Sequence, residues 1–168
     1  RIDRCDASVV NDMEKLHLYL VRHCESLGNR ENIFQGQLDL DISATGEKQL
    51  ALLALRFRNI PIDAVYSSPL KRAYKTAEAV DLYHSLPIIE LPELMEVDVG
   101  ALSGMKLDKA FTDYPVFAEK WQNSPQNCIF PEGETTAEVY DRAKKALARV
   151  KANCMGKTAV ITSHGFLL

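Results

Sequence analysis

The feature that most constrains the fold is a short apolar strand that leads directly into reactive side chains. Residues 16–21 are apolar enough to form a buried strand, and Arg22, His23 and Cys24 follow it immediately. Short apolar runs of this kind are typical of the interior strands of α/β sheets. Because ligands of such sheets bind beyond the carboxyl ends of the strands, a cation and two candidate nucleophiles are expected at the functional edge.

The rest of the chain alternates between predicted strands and predicted helices. Ser43 is a predicted N-cap, Ser68 and Pro69 are predicted to begin the next helix, and Thr135 and Glu138 form a predicted capping box. The predicted strands cover residues 16–21, 61–66, 88–91 and 157–162, and the predicted helices follow Ser43 and cover residues 69–83, 116–122 and 135–152. This order predicts an α/β fold with three layers, α/β/α, around a central, mostly parallel sheet.

Length and composition indicate a single domain and exclude some partners. The chain has 168 residues and a formal net charge of −3, which disfavours broad binding to nucleic acid. No apolar run approaches the ~20 residues of a membrane-spanning helix, and the cysteines lack zinc-binding spacing, so we expect a cytoplasmic protein with reduced thiols. Met13 precedes the first strand, so we interpret residues 1–12 as a leader or expression scar and residues 13–168 as one catalytic domain. The sequence does not fix the oligomeric state.

Reactive side chains follow the other predicted strands as well. Arg72 lies in the first turn of the helix after the second strand, Glu96 lies a few residues after the third, and His164 follows the fourth. With Arg22 and His23, they are expected at one edge of the sheet. Arginine and histidine suit a phosphomonoester, which carries about −1.5 to −2 charges near neutral pH. A carboxylic acid can protonate a leaving oxygen, and an imidazole can attack phosphorus.

The motifs that carry these residues resemble those of the histidine phosphatase superfamily, also called the phosphoglycerate mutase-like family. The resemblance covers residues 18–165 and rests on segments in the family's order: 20–26, 35–36, 43–46, 66–73, 94–96, 131–135 and 163–165. It implies that His23 is the phosphorylated nucleophile and Glu96 the proton donor. It also implies phosphate contacts from Arg22, Asn29, Arg72 and His164. Further site candidates near or within the motifs are Cys24, Ser26, Gln35, Gly36 and Gly165.

The resemblance implies a phosphoglycerate mutase-like fold and hydrolysis of small phosphomonoesters through phosphohistidine, without a metal or another cofactor. Phosphoglycerate mutase activity is the alternative. The compact chain favours the hydrolase. So does segment 35–37, which is Gln-Gly-Gln in this chain, because glycolytic mutases usually carry an aromatic side chain in that loop. The expected partner is a small phosphorylated metabolite. Sugar phosphates, phosphoglycerates and nucleotide-pathway phosphates all remain open as substrates.

Two features depart from the family pattern. Cys24 stands where the family has a glycine, and the chain ends at Leu168, where family members usually continue through another helix, so we expect a truncated C-terminus. Cys24 also begins a Cys-x5-Arg pattern that ends at Arg30, the minimal signature of cysteine-dependent tyrosine phosphatases. Two further alternatives are a domain that binds phosphorylated ligands without turnover and an α/β interaction module.

Overall fold

The computed structural model describes residues 15–168, which form a four-stranded sheet with helices on both faces. The strands are β1 (His17–Arg22), β2 (Ala64–Ser67), β3 (Ile88–Glu90) and β4 (Thr158–Ser163), in the spatial order β1-β4-β2-β3. Each neighbouring pair of strands is parallel. The predicted α/β fold with a parallel central sheet is confirmed, whereas the predicted leader at residues 1–12 lies outside the described residues.

The helices of residues 15–168 connect the strands and cover the sheet. They are α1 (Leu27–Arg30), α2 (Ala44–Phe57), α3 (Lys71–Asp81), α4 (Leu107–Asp113), α5 (Pro115–Asn123) and α6 (Thr136–Cys154). Helix α1 lies within a polar segment where no helix was predicted, and α4 was not predicted either. Both are short, and α4 has no side-chain cap to mark its start. In this part of the chain, no helix is long and apolar enough to cross a bilayer.

Side-chain caps fix the start of two helices as predicted. Ser43 Oγ accepts a hydrogen bond from the backbone N–H of Gly46, which begins α2. Thr135 Oγ1 accepts from the backbone N–H of Glu138, and the Glu138 carboxylate accepts from the backbone N–H of Thr135. This reciprocal pair satisfies donors that the first turn of α6 otherwise leaves without partners.

The predicted start of α3 is wrong. The helix begins at Lys71 with Leu70 as its N-cap, and no side chain caps it, whereas Ser68 and Pro69 precede it. The Ser68 hydroxyl accepts from the backbone N–H of Leu70 at 3.3 Å, ahead of the helix, and it also lies 2.8 Å from Nε2 of His164. Ser68 therefore belongs to the edge of the sheet where the reactive side chains meet.

Strand β1 lies at one edge of the sheet and its residues are half-buried or exposed, so the predicted buried interior strand is wrong. The two faces of the sheet bury alternate residues of the central strands β2 and β4. Val65 of β2 and Val160 of β4 pack in one apolar cluster with α2 and α3. Their neighbours Tyr66 and Ile161 pack in another cluster with α6. This alternation follows from the two-residue period of a strand, and it produces the three layers. A third apolar cluster joins α4 and α5 to the loops that follow β1 and β3.

Candidate active site

The segments that follow the four strands line one cavity of about 410 Å³. The cavity lies at the carboxyl edge of the parallel sheet, where ligands of such sheets bind. Most of the residues that the sequence singles out meet here. Those that line the cavity are Arg22, His23, Asn29, Gln35, Gly36, Arg72, Glu96 and Gly165. Cys24, Ser26 and His164 lie around the cavity without lining it.

The imidazole of His23 is held in one orientation and one tautomer. Its Nδ1 lies 2.6 Å from the carbonyl oxygen of Cys24, and because a carbonyl only accepts, Nδ1 carries the proton. Nε2 therefore keeps its lone pair. Burial, together with the nearby positive charges of Arg72 and Arg22, lowers the pKa of His23 to about 4, although the hydrogen bond to the Cys24 carbonyl acts in the opposite direction. His23 is neutral at pH 7 and suited to nucleophilic attack.

Arg72 is a buried cation beside the cavity. One of its terminal nitrogens donates to the carbonyl of Leu38 at 2.8 Å, and the other donates to the carbonyl of Gly36 at 2.7 Å. The side chain is 1% exposed, and Nε has no hydrogen-bond partner within residues 15–168. Burial lowers the pKa of Arg72, but arginine stays charged in proteins. A buried guanidinium with an unused donor is a suitable anion-binding group.

Arg22 provides a second cation with a more open setting. The side chain is exposed, and its guanidinium makes no hydrogen bond or ion pair within the described residues. It lies against the backbone at Gly165, where an added Cβ would come within 3.1 Å of the guanidinium carbon. The glycine therefore leaves room for the position that Arg22 occupies at the cavity.

The loop after β1 forms a buried polar scaffold around Asn29. The side-chain oxygen of Asn29 accepts from the backbone N–H of Ser26 at 3.0 Å, so its amide N–H groups stay available at the cavity. Ser26 is fully buried, and its hydroxyl lies 2.6 Å from Oε1 of Gln35. A Cβ on Gly28 would lie only 2.3 Å from the Gln35 side chain. Ser26 and Gln35 thus hold the shape of this loop.

Glu96 presents a carboxyl group whose environment favours its protonated form. One oxygen accepts from the backbone N–H of Val97 at 3.1 Å, and the other lies 3.4 Å from the backbone N–H of Phe166. Burial raises the pKa of Glu96, and these hydrogen bonds together with Arg72 lower it by less. A carboxyl group with a raised pKa in a cavity that two arginines also line is a candidate general acid.

Arg142 on α6 fixes the loop that carries Glu96, and no sequence motif marks this arginine. Its guanidinium pairs with both carboxylate oxygens of Glu134, at 2.8 and 2.9 Å. It also donates to the backbone carbonyls of Glu93, Met95 and Glu96. Glu134 lies in a recognised motif segment, but nothing in the spacing between Glu134 and Arg142 indicates this contact.

His164 lies next to His23 and is completely buried. The centres of the two rings are 5.1 Å apart. Nε2 of His164 contacts the Ser68 hydroxyl, and Nδ1 is buried without a hydrogen-bond partner among the described residues. Burial, with Arg72 and His23 as further causes, lowers the pKa of His164 to about 2, so the ring is neutral.

Cys24 is separated from the main cavity. Its backbone N–H donates to Oγ1 of Thr76, and its side chain borders a smaller cavity next to the first. Burial raises the pKa of the thiol, which disfavours the reactive thiolate. Arg30, the other end of the Cys-x5-Arg pattern, is exposed and lies 3.7 Å from Glu31. This geometry does not support a cysteine-dependent phosphatase.

Comparison with known families identifies the family of this chain. A sequence model described as the histidine phosphatase superfamily (branch 1) matches residues 18–168. The chain belongs to the histidine phosphatase superfamily. The predicted family and phosphoglycerate mutase-like fold are therefore confirmed.

Curated relatives in this superfamily include phosphatases and a mutase. Phosphoserine phosphatase 1 of Hydrogenobacter thermophilus is 39% identical over 147 residues, which are 88% of this chain and 70% of the relative. A probable phosphoglycerate mutase, GpmB of Escherichia fergusonii, is 31% identical over 91% of this chain and 71% of its own length. The superfamily and these relatives support a phosphatase or mutase activity.

Solved structures in the superfamily share the fold. YhfR of Bacillus stearothermophilus superposes with a TM-score of 0.86 and 28% identity, over 91% of this chain and 76% of that protein. A mycobacterial glucosyl-3-phosphoglycerate phosphatase, solved with VO3, superposes with a TM-score of 0.81 and 26% identity, over 89% of this chain and 76% of its own.

Proposed function

We propose that this histidine phosphatase superfamily member hydrolyses small phosphomonoesters through a phosphohistidine intermediate on His23. The observation that carries the proposal is the hydrogen bond from His23 Nδ1 to the Cys24 carbonyl. It leaves Nε2 unprotonated in a cavity that two guanidinium groups and a carboxyl group also line. The phosphatases among the chain's relatives support the same reaction class.

In the first step, the lone pair on His23 Nε2 attacks phosphorus as the bond between phosphorus and the ester oxygen breaks. Arg22 and Arg72 stabilise the charge on the phosphoryl oxygens, which is the main requirement for phosphoryl transfer. Asn29 donates its free amide hydrogens. His164 donates from Nδ1, which carries the proton when Nε2 accepts from the Ser68 hydroxyl. Glu96 gives its proton to the leaving alkoxide, so that a neutral alcohol departs.

In the second step, the Glu96 carboxylate takes a proton from water as the water oxygen attacks phosphorus. The bond between phosphorus and Nε2 breaks, inorganic phosphate forms, and the His23 lone pair returns. Glu96 ends the cycle protonated, as it began. The arginines supply the positive charge for both steps, and we propose that neither step requires a metal ion.

The test is turnover of 4-nitrophenyl phosphate in the presence of a chelator, with the parent protein, His23→Ala and Cys24→Ser. We expect the parent and Cys24→Ser to be active and His23→Ala to lose at least about a thousandfold in kcat. Loss of activity in Cys24→Ser with retention in His23→Ala would assign the nucleophile to the thiol. A parent protein that binds vanadate without any turnover would indicate a phosphate-binding domain.

A further inference from the structure

We propose that the substrates of this site are monoesters of uncharged, apolar alcohols, in particular alcohols that carry an aromatic ring. The proposal rests on the phosphatase function above and concerns the group that leaves. The charged side chains lining the cavity are those assigned to phosphoryl transfer. The rest of the lining is largely hydrophobic and includes Ile33, Phe34, Leu107, Trp121, Phe130 and Phe166.

The aromatic side chains form a preformed wall. Trp121 and Phe166 stack with ring centres 5.6 Å apart and planes 13° apart. Phe130 meets Phe166 edge to face at 5.4 Å, and Phe34 meets Trp121 in the same way at 5.8 Å. Phe34 and Phe130 are buried, whereas Trp121 and Phe166 remain partly exposed. These two rings offer apolar surface against which an aromatic or aliphatic leaving group can pack.

Three further cations, Lys106, Lys120 and Arg142, do not line the cavity. Lys106 precedes Leu107, but its ammonium group donates to the backbone carbonyl of Glu31 at 2.6 Å. Lys120 precedes Trp121 and lines a separate groove. The guanidinium of Arg142 pairs with Glu134 and donates to backbone carbonyls.

A charged leaving group would therefore lose hydration at this wall without gaining a partner. The carboxylate of a phosphoglycerate and the carboxylate and ammonium of phosphoserine need compensation when they leave water. Among the described residues that line the cavity, the only cationic side chains are Arg22 and Arg72, and the phosphoryl group occupies both. An uncharged ring gains from burial at the same place.

The experiment compares kcat/KM of the full chain for benzyl phosphate, O-phospho-L-serine and 3-phosphoglycerate. All three are esters of primary alcohols, so differences in leaving-group chemistry are small. We expect benzyl phosphate to have a kcat/KM at least about tenfold higher than either charged substrate. This comparison needs no variant, so it stands even if a substitution disturbs folding.

A substitution in the apolar lining beside the wall makes the test specific. Leu107, the half-buried first residue of α4, is replaced by arginine, and Leu147→Arg, on an exposed part of α6, is the control. In Leu107→Arg, kcat/KM for benzyl phosphate should fall at least about tenfold while that for 3-phosphoglycerate rises. Leu147→Arg should leave both values within about twofold of the parent.

The outcomes separate this proposal from the function on which it rests. Equal or faster turnover of phosphoserine or 3-phosphoglycerate, dependent on His23, would overturn the apolar substrate class and leave the phosphatase intact. No change of preference in Leu107→Arg would overturn the role of the wall. No turnover of any ester and no phosphorylation of His23 would overturn the proposed function and this inference with it.

Discussion

His23 and Glu96 need opposite protonation states for the proposed reaction, and burial favours the required state of each. His23 must be neutral, and its pKa is lowered to about 4, so kcat/KM should fall as the pH drops through about 4. Glu96 must be protonated, and burial raises its pKa, so kcat/KM should fall as the pH rises through that raised value. A pH profile of kcat/KM measures both limbs. A profile without a falling alkaline limb would remove Glu96 from the role of general acid.

Replacing Glu96 by glutamine should show how much the leaving group needs its proton. We expect kcat for benzyl phosphate to fall about 10²- to 10⁴-fold, with a smaller loss for 4-nitrophenyl phosphate, whose leaving group needs little protonation. Glu93→Gln is the matched control, because Glu93 is a neighbouring carboxylate that does not line the cavity. Equal losses in the two variants, or equal losses for the two substrates, would contradict the assignment.

At the scale of secondary-structure elements, α6 positions Glu96, the proposed general acid, through Arg142. The side chains of Arg142 and Glu134 are 16% and 22% exposed, so this pair is better shielded than the other ion pairs of residues 15–168. Arg142→Lys keeps the charge but cannot reproduce the paired contacts of the guanidinium. We expect a loss of about 1–3 kcal/mol in the free energy of unfolding and a lower kcat with little change in KM.

Arg149→Lys is the control for Arg142→Lys, because Arg149 lies on the same helix and is exposed. Urea denaturation and steady-state kinetics measure the two variants side by side. Reduced stability with an unchanged kcat would make the contact of α6 with the Glu96 loop purely structural. A change in KM alone would assign Arg142 to substrate binding instead.

At the scale of the whole molecule, anion binding should raise thermal stability. Arg72 is buried with an unused donor, and a ligand that binds only the folded state at a hundredfold excess over its Kd adds about 2.7 kcal/mol. For a domain of this size, that corresponds to an increase in Tm of about 5–10 °C. Vanadate should produce this shift in the parent protein, as measured by differential scanning calorimetry. Arg72→Met should abolish the shift, and a full shift in that variant would contradict the assignment of Arg72.

Local patterns were sufficient to predict the sheet and the edge where the site forms. Apolar runs mark β1 and β4, and capping residues such as Ser43 mark helix starts, because these features depend on neighbours in sequence. Parallel strands then bring Arg22, Arg72 and Glu96 together without further information. The family resemblance added the roles of these residues, and their roles stay predictions until they are measured.

Contacts between distant residues were not predicted. Arg142 donates to carbonyls 46 to 49 residues away in sequence, and Ser68 contacts His164 across 96 residues. No local pattern encodes such pairs, so Ser68 resembled a helix cap. The aromatic wall was missed for the same reason, because Phe34, Trp121 and Phe166 come from separate segments.

The most direct test of the account is to trap the covalent intermediate. The parent protein is mixed with excess aryl phosphate, quenched in alkali within milliseconds, and digested for mass spectrometry of the peptide that contains His23. The account predicts one phosphoryl group on His23, stable in alkali and lost in acid, and none in His23→Ala. A phosphoryl group on Cys24, or steady turnover without any phosphorylated His23, would contradict it.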